Sequence, residues 1–538
     1  MKKLFPAYVI SFVLSFMLYI FEPITMYLTN VNDFWFDLSV IIKPLLIYSV
    51  CLFVGISVLF TLIFFLNKLF KKIKLFEVCI LVMFVCFICT YIQGNYLAGN
   101  LPSLDGTAID WTAYTTQNII SIVLWLVVIA VIVFTSIKFK AENVVKTSMY
   151  ISLAVFVMLS VSLLTTYMQA DTKPKETPLA ITMNNYNHVS KNKNLFVIVL
   201  DATDSVTFER VMEGDPDFKD TFNDFTYYKD TLSAYPFTRD SVPFILTGEW
   251  NENTDDFRTY STKALNNAKF LNSLGDKGYE RNLYEEELVW EDKNATKIDN
   301  IVLLDKNIDI ISYFKNQTKY ILFKYLPYPL KKYSKVESMN YNNCKVSEEL
   351  YKWDVDFNYE HIKDIEFEKV DKDVFNFYHF EGVHVPCQYN KQVENTGIES
   401  YDDTVLANLT IVDTYFKKLK EAGVYDNSAI IITADHGYGF EKGFYGRQNP
   451  ILFVKGINEH HKFKKSDLPI SFTDLETGYN NLLDGKQGES VFGNIDKNRE
   501  RRYLWYKFNE EDHMVEYFTK DKAWKTDKMY TSGKEYNR

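Results

Sequence analysis

Asp201, Thr238, Asp435 and His436 carry side chains of the types that a divalent cation takes. Carboxylate oxygens and an imidazole nitrogen are hard and borderline donors, and an alkoxide from Thr238 would complete a four-coordinate site. Thr238 stands in Tyr235-Pro236-Phe237-Thr238-Arg239-Asp240-Ser241-Val242-Pro243-Phe244-Ile245-Leu246-Thr247-Gly248, where a hydroxyl after a proline precedes a short apolar helix closed by glycine. That context predicts an N-cap threonine whose hydroxyl faces out of the helix start, where unpaired N–H groups and the helix dipole favour an alkoxide or a phosphate oxygen. A plain capping role is the simpler alternative for this segment alone. Residues 195–200 are a continuous apolar run ending at Asp201, and 429–434 are a second, ending at Asp435 and His436. Each reads as a buried parallel strand, and ligands of such sheets lie at the carboxyl ends. Asp201, Asp435 and His436 are therefore expected to meet at one sheet edge, with Thr238 close by.

The ordered set of strand-Asp201, Thr238 with Ser241-Val242-Pro243 after it, and Asp435-His436-Gly437 resembles the alkaline phosphatase and sulfatase superfamily. It is most similar to the membrane-bound branch containing lipoteichoic acid synthases and lipid A phosphoethanolamine transferases. The motifs cover residues 194–456; Asp-His-Gly alone is a weak signal, the ordered set a strong one. The resemblance implies metal ligation by Asp201, Thr238, Asp435 and His436, with zinc or manganese as the ion. It also implies that Thr238, not the rival Thr203, is the nucleophile, because the related transferases place theirs three residues before Ser-Val-Pro. His384, before Val385-Pro386, matches a histidine that contacts the phosphoryl group or leaving oxygen, and an imidazole there can give or take a proton near neutrality. His379 is a second candidate for substrate contact. Two departures stand out. The first ligand is Asp201 where those transferases use Glu, and the histidine they carry a dozen or so residues past Asp-His-Gly is missing. Tyr445 and Arg447 stand in that loop instead; Arg447 either holds a phosphate bidentately or makes a surface ion pair.

Long apolar runs occupy the first third of the chain. Residues 4–28, 40–66, 75–91, 118–137 and 148–168 are each long enough, or nearly so, to cross about 30 Å of hydrocarbon, which predicts five transmembrane helices. Lys2, Lys3, Lys68, Lys71, Lys72, Lys74, Lys138, Lys140 and Lys146 fall on one side, while the opposite loops carry Asp33, Asp37, Asp105 and Asp110, with Lys43 the exception. The positive-inside rule then puts the N-terminus in the cytoplasm and everything after Met168 outside it. The first run lacks a small-residue cleavage pattern and reads as a retained anchor. The loop 93–111, with Trp111 and Tyr114 at the interface, either lines the path of a lipid or only packs the helices. Four cysteines, Cys51, Cys79, Cys86 and Cys89, lie in these runs as small apolar side chains; Cys344 and Cys387 leave a disulfide open. A net charge of -10 without an extended basic patch argues against a nucleic-acid partner.

The expected domains are 1–168 in the membrane, a linker at 169–193, and 194–538 as the catalytic part. Helical patterns at 264–275 and 404–422, strands at 279–284 and 429–434, a strand running into a loop over 375–386, and a returning strand at 449–456 give the βαβ rhythm of a doubly wound sheet. Residues 306–371 show no clean repeat and read as an insertion bordering the site or a partner surface. The fold class is thus α/β, an N-terminal bundle of five transmembrane helices followed by an extracytoplasmic, alkaline-phosphatase-like doubly wound domain. The resemblance implies a transferase that moves a phosphoglycerol- or phosphoethanolamine-type group from a membrane phospholipid to a surface polysaccharide or glycolipid through a phosphothreonine. The alternatives are a membrane-anchored phosphodiesterase or sulfatase-type hydrolase, and a non-catalytic lipid-binding scaffold. Sulfatases require a Cys or Ser in a C/S-x-P-x-R setting, and Thr238-Arg239-Asp240-Ser241-Val242 does not supply it.

Overall fold

The computed structural model describes the chain except residues 1, 32–33, 35, 71–72, 100, 102–108, 110, 173–178, 216–217, 219, 305–307, 335, 337–347 and 440–446. Asp33, Lys71, Lys72, Asp105, Asp110, Cys344 and Tyr445 therefore lie outside the described residues, and with them the candidate Cys344–Cys387 pair. Cys387 is buried as a free thiol. The chain divides into two compact units, Met1–Pro178 with Leu304–Val346, and Leu179–Leu303 with Ser347–Arg538.

The first unit contains five helices long and apolar enough to cross a membrane: α1 (Phe5–Thr29), α2 (Leu38–Leu69), α3 (Lys74–Tyr96), α4 (Trp111–Phe139) and α5 (Ala141–Gln169). Large apolar side chains such as Val50, Leu62, Leu126 and Phe134 stay exposed along α2 and α4, as side chains solvated by hydrocarbon do. A π turn, Met17–Phe21, interrupts α1 just before Glu22.

The segment Leu304–Val346, expected in the outer domain, groups instead with these helices. Its helix Ile310–Tyr325 buries a row at four-residue spacing, Tyr313, Gln317, Ile321 and Tyr325. A glutamine and two tyrosines hide that row from a hydropathy pattern. Lys324 Nζ donates to Glu22 Oε1 at 2.7 Å and Tyr325 Oη to Glu22 Oε2 at 2.6 Å. Tyr19 Oη bonds Thr318 Oγ1 at 3.1 Å, Tyr48 Oη donates to the Ile310 carbonyl at 2.7 Å, and the Tyr328 N–H donates to Ser121 Oγ at 3.2 Å. A Cβ on Gly94 would come within 2.3 Å of the Tyr325 ring, so only glycine admits it there. In sequence these contacts fall toward the helix ends opposite Lys68, Lys74 and Lys138.

The second unit is built on a seven-stranded sheet of β1 (Asn194–Leu200), β2 (Thr226–Tyr228), β3 (Glu280–Tyr284), β4 (Val374–Phe380), β5 (Ser428–Thr433), β6 (Leu452–Lys455) and β7 (Lys464–Ser466), in the order β7-β2-β6-β5-β1-β4-β3. β1 lies between β5 and β4 and is parallel to both. Its side chains alternate between two cores: Leu195, Val197 and Val199 on one face, Phe196, Ile198 and Leu200 on the other. Burial on both faces explains the unbroken apolar run, each such side chain contributing about 1.5–3 kcal/mol. α6 (Ser205–Gly214), α7 (Thr238–Thr247) and α8 (Tyr401–Glu421) follow or precede the central strands. α8 supplies Ile411, Val412, Tyr415 and Phe416 to the second core, then stops before Gly423, whose φ of +66° suits glycine. β6 returns antiparallel to β5, so the sheet is mixed. β8 (Arg501–Trp505), β9 (His513–Thr519) and β10 (Tyr530–Asn537) add a three-stranded antiparallel sheet that the sequence pattern did not announce. The expected linker is also partly ordered: Leu179–Ile181 pairs with Ile301–Leu303, and His188–Ser190 with Glu368–Val370.

Breaking one side of a buried ion pair strands its partner. Glu22→Leu is therefore expected to lower the stability of the detergent-solubilised full-length protein by about 3 kcal/mol, read from its thermal midpoint, with Lys324→Met in the same background restoring part of the loss.

Candidate active site

Parallel pairing of β1 with β5 sets Val199 opposite Thr433, so the chains leave the sheet side by side at Asp201 and Asp435. Both carboxylates are fully buried. Asp435 Oδ1 accepts from the Ala202 N–H at 3.1 Å and from the His436 N–H at 2.8 Å. Its Oδ2 and both oxygens of Asp201 have no hydrogen-bond donor among the described residues. Ala202 takes up this arrangement with φ at +55°, a left-handed conformation that alanine rarely adopts and that tight functional turns retain.

His379 projects from β4, paired in register with Val199 of β1, and one ligand atom each of Asp201, His379 and Asp435 lies within 4.8 Å of the others. The Glu285 carboxylate meets the Nδ1 of His379. His436 Nε2 stands 3.6 Å from Asp201 Oδ1 and 3.3 Å from Asp435 Oδ2. Its Nδ1 donates to the Gly437 carbonyl at 2.8 Å, which leaves Nε2 for the centre.

The charges here are mutually dependent. Burial, and then the neighbouring Asp435, push the Asp201 carboxyl far above the ordinary range. Burial alone would raise Asp435 as well, but His436, His379 and the Thr238 hydroxyl outweigh it, and its carboxyl is held low. Burial keeps His436 neutral against the pull of Asp435. Two buried carboxylates with three unpartnered oxygens, facing imidazoles, are costly unless a cation joins them, and the donor set suits a divalent metal.

Thr238 is the first helical residue of α7, with Phe237 at the N-cap, one position off the sequence expectation. Its hydroxyl does not cap the helix; it stands near enough to the Asp435 carboxylate to help hold it low. Two anchors hold it there. Ser241 Oγ, one turn on, donates to the Asp435 carbonyl at 2.6 Å. Buried Asp240 accepts from Asn251 Nδ2 at 2.6 Å, Arg239 Nε at 3.0 Å and the Tyr506 hydroxyl. Thr203, the rival hydroxyl, donates to the backbone carbonyl of Asp201 at 3.2 Å rather than toward the carboxylates.

The sulfatase family profile matches residues 193–519, more than half of the chain. The chain belongs to the sulfatase family. No curated protein matches the sequence. Among solved structures, the sulfatase-family chain is similar to Ps i-CgsB, at 16% identity and a TM-score of 0.42, covering 62% of this chain and 83% of that one. It is also similar to a putative sulfatase from Bacteroides fragilis, at 14% identity and 0.38, covering 61% and 84%. A third likeness is to an alkaline phosphatase superfamily protein from Vibrio parahaemolyticus, at 12% and 0.38, covering 67% and 84%.

Other site residues of this sulfatase domain fall differently from expectation. His379, expected at the substrate, sits among the carboxylates. Arg447 is no surface ion pair: it is buried, donates to the Pro236 carbonyl at 2.7 Å and the Gly439 carbonyl at 2.6 Å, and stacks 4.3 Å over the Phe237 ring. It thereby braces the turn that presents Thr238. His384 is half-buried; burial lowers its pKa, and its ring lies 5.2 Å from that of Trp353, which is 5.6 Å from His379. Glu285, Asp240 and Gly382 escaped sequence reasoning. A Cβ on Gly382 would stand 2.3 Å from the Asp201 backbone, and its φ is +59°. A Gly in the β4 exit loop was the one available signal.

Gly382→Ala is expected to destabilise the protein by about 2 kcal/mol or more and to weaken divalent-metal affinity, read by calorimetry and metal analysis together. A pH effect arises next door at Glu381. Burial, aided by Asp354 and Asp356 and opposed by the Val355 N–H, raises its pKa from 4.5 to about 7. A raised carboxyl favours the fold below its unfolded pKa and loses that contribution as pH rises through the folded one. Relative to Glu381→Gln, the wild type is expected to lose about 2 kcal/mol between pH 4.5 and 7, with no difference in slope below that window.

Proposed function

We propose that this sulfatase-family membrane protein transfers a phosphorylated head group, phosphoglycerol- or phosphoethanolamine-type, from a membrane phospholipid to a cell-surface glycan through a phosphothreonine at Thr238. The observation that carries this reading is a threonine hydroxyl close enough to lower Asp435, one of two buried, under-coordinated carboxylates, at the place where sulfate-ester hydrolysis needs a modified Cys or Ser. Five spans with the N-terminus in the cytoplasm would put the domain outside, beside a lipid donor.

Asp201, Asp435, His436 and His379 would hold a divalent ion, zinc or manganese by donor type, which when bound lowers the pKa of the Thr238 hydroxyl and offsets charge on the phosphoryl oxygens. Thr238 Oγ1 attacks phosphorus; the new Thr–O–P bond forms as the bond from phosphorus to the diacylglycerol oxygen breaks, and that oxygen takes up the proton released by the hydroxyl. Asp435 aligns Oγ1 for the attack, while Arg447 and Phe237 keep the turn from shifting. His384, held neutral by burial, accepts the proton of the incoming glycan hydroxyl in the second half-reaction, as the glycan oxygen bonds phosphorus and the Thr–O–P bond breaks, and that proton passes on to regenerate the Thr238 hydroxyl. Family membership favours the alternative of a hydrolase, in which water takes the place of the glycan hydroxyl.

Mass spectrometry of the Thr238 peptide after incubation with mixed phospholipids is expected to show a head-group phosphate adduct. Thr238→Ala is expected to reduce turnover by about 10³-fold or more, and an active Thr238→Ala protein would overturn the reading. Chelation is expected to abolish activity and re-addition of zinc or manganese to restore it. Decay of the adduct in water at the rate seen with a glycan acceptor would decide for the hydrolase.

A further inference from the structure

α4 packs loosely for a spanning helix: of residues 115–139, Ser121 alone is buried. Between the half of α4 nearer Lys138, the facing half of α3 and the first residue of α5 runs a crevice of about 440 Å³, lined by Val78, Val82 and Cys86 of α3, by Trp125 and Val133 of α4, and by Ala141. Val78, Val82 and Val133 stay about half exposed along it. The lined stretch of α4, from Trp125 to Ile137, is about 18 Å long by the helical rise. One leaflet of a bilayer offers about 15 Å of hydrocarbon. The crevice is therefore one leaflet deep, and it begins at the lysine end of the helices.

That end carries unpaired positive charge. Lys74 stands one turn before Val78 on α3, Lys138 follows Ile137, and Lys140 precedes Ala141. Lys138 Nζ rests over the Phe134 and Phe139 rings, 5.9 and 5.3 Å from their centroids. Lys140 joins α4 to α5 with φ at +65°, a left-handed turn that keeps it beside Lys138. None of these three has a carboxylate partner among the described residues, whereas Lys3 and Lys146 pair with Glu77 at 3.4 Å and Glu142 at 3.2 Å. An apolar slot one leaflet deep under free ammonium groups is complementary to a lipid with a negatively charged head.

We propose that this crevice binds one anionic phospholipid of the leaflet on the lysine side, an acyl chain lying between α3 and α4 and the phosphate meeting Lys74, Lys138 and Lys140. The bound chain supplies the dispersion contacts that α4 lacks toward α3. A zwitterionic lipid fits less well, because its own ammonium offsets the phosphate. A spanning helix of a partner also fits less well, since it needs an apolar seam through both leaflets and this lining stops at Trp125. The site is independent of the chemistry at Thr238.

The test uses the full-length protein in detergent micelles with phosphatidylglycerol or phosphatidylcholine of matched acyl chains, the retained lipid being counted by native mass spectrometry. One phosphatidylglycerol per chain is expected to stay bound at least about 10-fold more tightly than phosphatidylcholine. Lys138→Gln together with Lys140→Asn, asparagine being chosen because it tolerates the left-handed turn, is expected to erase that preference. Val133→Trp, which fills the crevice, is expected to displace both lipids; should it fail to fold, the lysine variant, at exposed positions, decides alone. Equal retention of the two lipids by the wild type overturns the proposal, as does a lysine variant that holds phosphatidylglycerol undiminished. So does recovery of most chains as a Cys86–Cys86 disulfide after mild oxidation in the membrane, which would put a second copy over the crevice.

Discussion

Two carboxylates that cannot both stay charged without help govern the second unit. Asp201 and Asp435 are delivered to one point because β1 and β5 are parallel neighbours in register, and neither oxygen of Asp201 meets a donor there. The rest of the site can be understood as what accumulates around that unresolved negative charge. Imidazoles come from β4 and from the residue after Asp435, the backbone N–H groups of Ala202 and His436 serve one oxygen only, and a threonine hydroxyl leans on the carboxylate left low. Burial of this many unmatched polar atoms fits a site for a cation.

Placement of the hydroxyl is equally constrained, and by contacts from distant parts of the chain. α7 is pinned to the strand end through Ser241 and to the C-terminal sheet through Asp240 and Tyr506, while Arg447 braces the residues just before it. Gly382 lets the β4 exit loop close on the Asp201 backbone, whose carbonyl accepts the Val383 N–H at 2.9 Å. Freedom at Thr238 is thus removed in advance, as the nucleophilic role proposed for it requires.

The first unit shows a different economy. A helix inserted between strands of the catalytic fold joins the spanning helices through a buried Glu22–Lys324 pair and a ring of tyrosines. Lys324, Tyr325 and Thr318 of this helix find partners on the apolar helices, while the Gln317 amide and the Tyr313 hydroxyl are buried without one among the described residues.

Much was legible in the sequence because it is written locally. Runs of apolar residues long enough to cross hydrocarbon, and shorter ones flanked by turn formers, specify spans and doubly buried strands by length alone; all five spans and strands β1, β4 and β5 follow. The ordered Asp201, Thr238 and Asp435-His436 motifs located the centre for the same reason, since a strand end or a helix start is a local event. Boundaries slipped where local preference is shallow: the helix read at 264–275 is two, Phe257–Asn266 and Lys269–Asp276, broken at Ala268, and Thr238 is one residue inside its helix. Only the tertiary structure decided that His379 joins His436 at the carboxylates, that Glu285 backs it, that Arg447 serves the threonine turn, and that Leu304–Val346 leaves the fold it is embedded in. Each of these is a meeting of residues roughly a hundred or more positions apart, or of buried polar side chains whose partners a periodicity cannot name, and contacts of that kind exist only once the sheet has set its order.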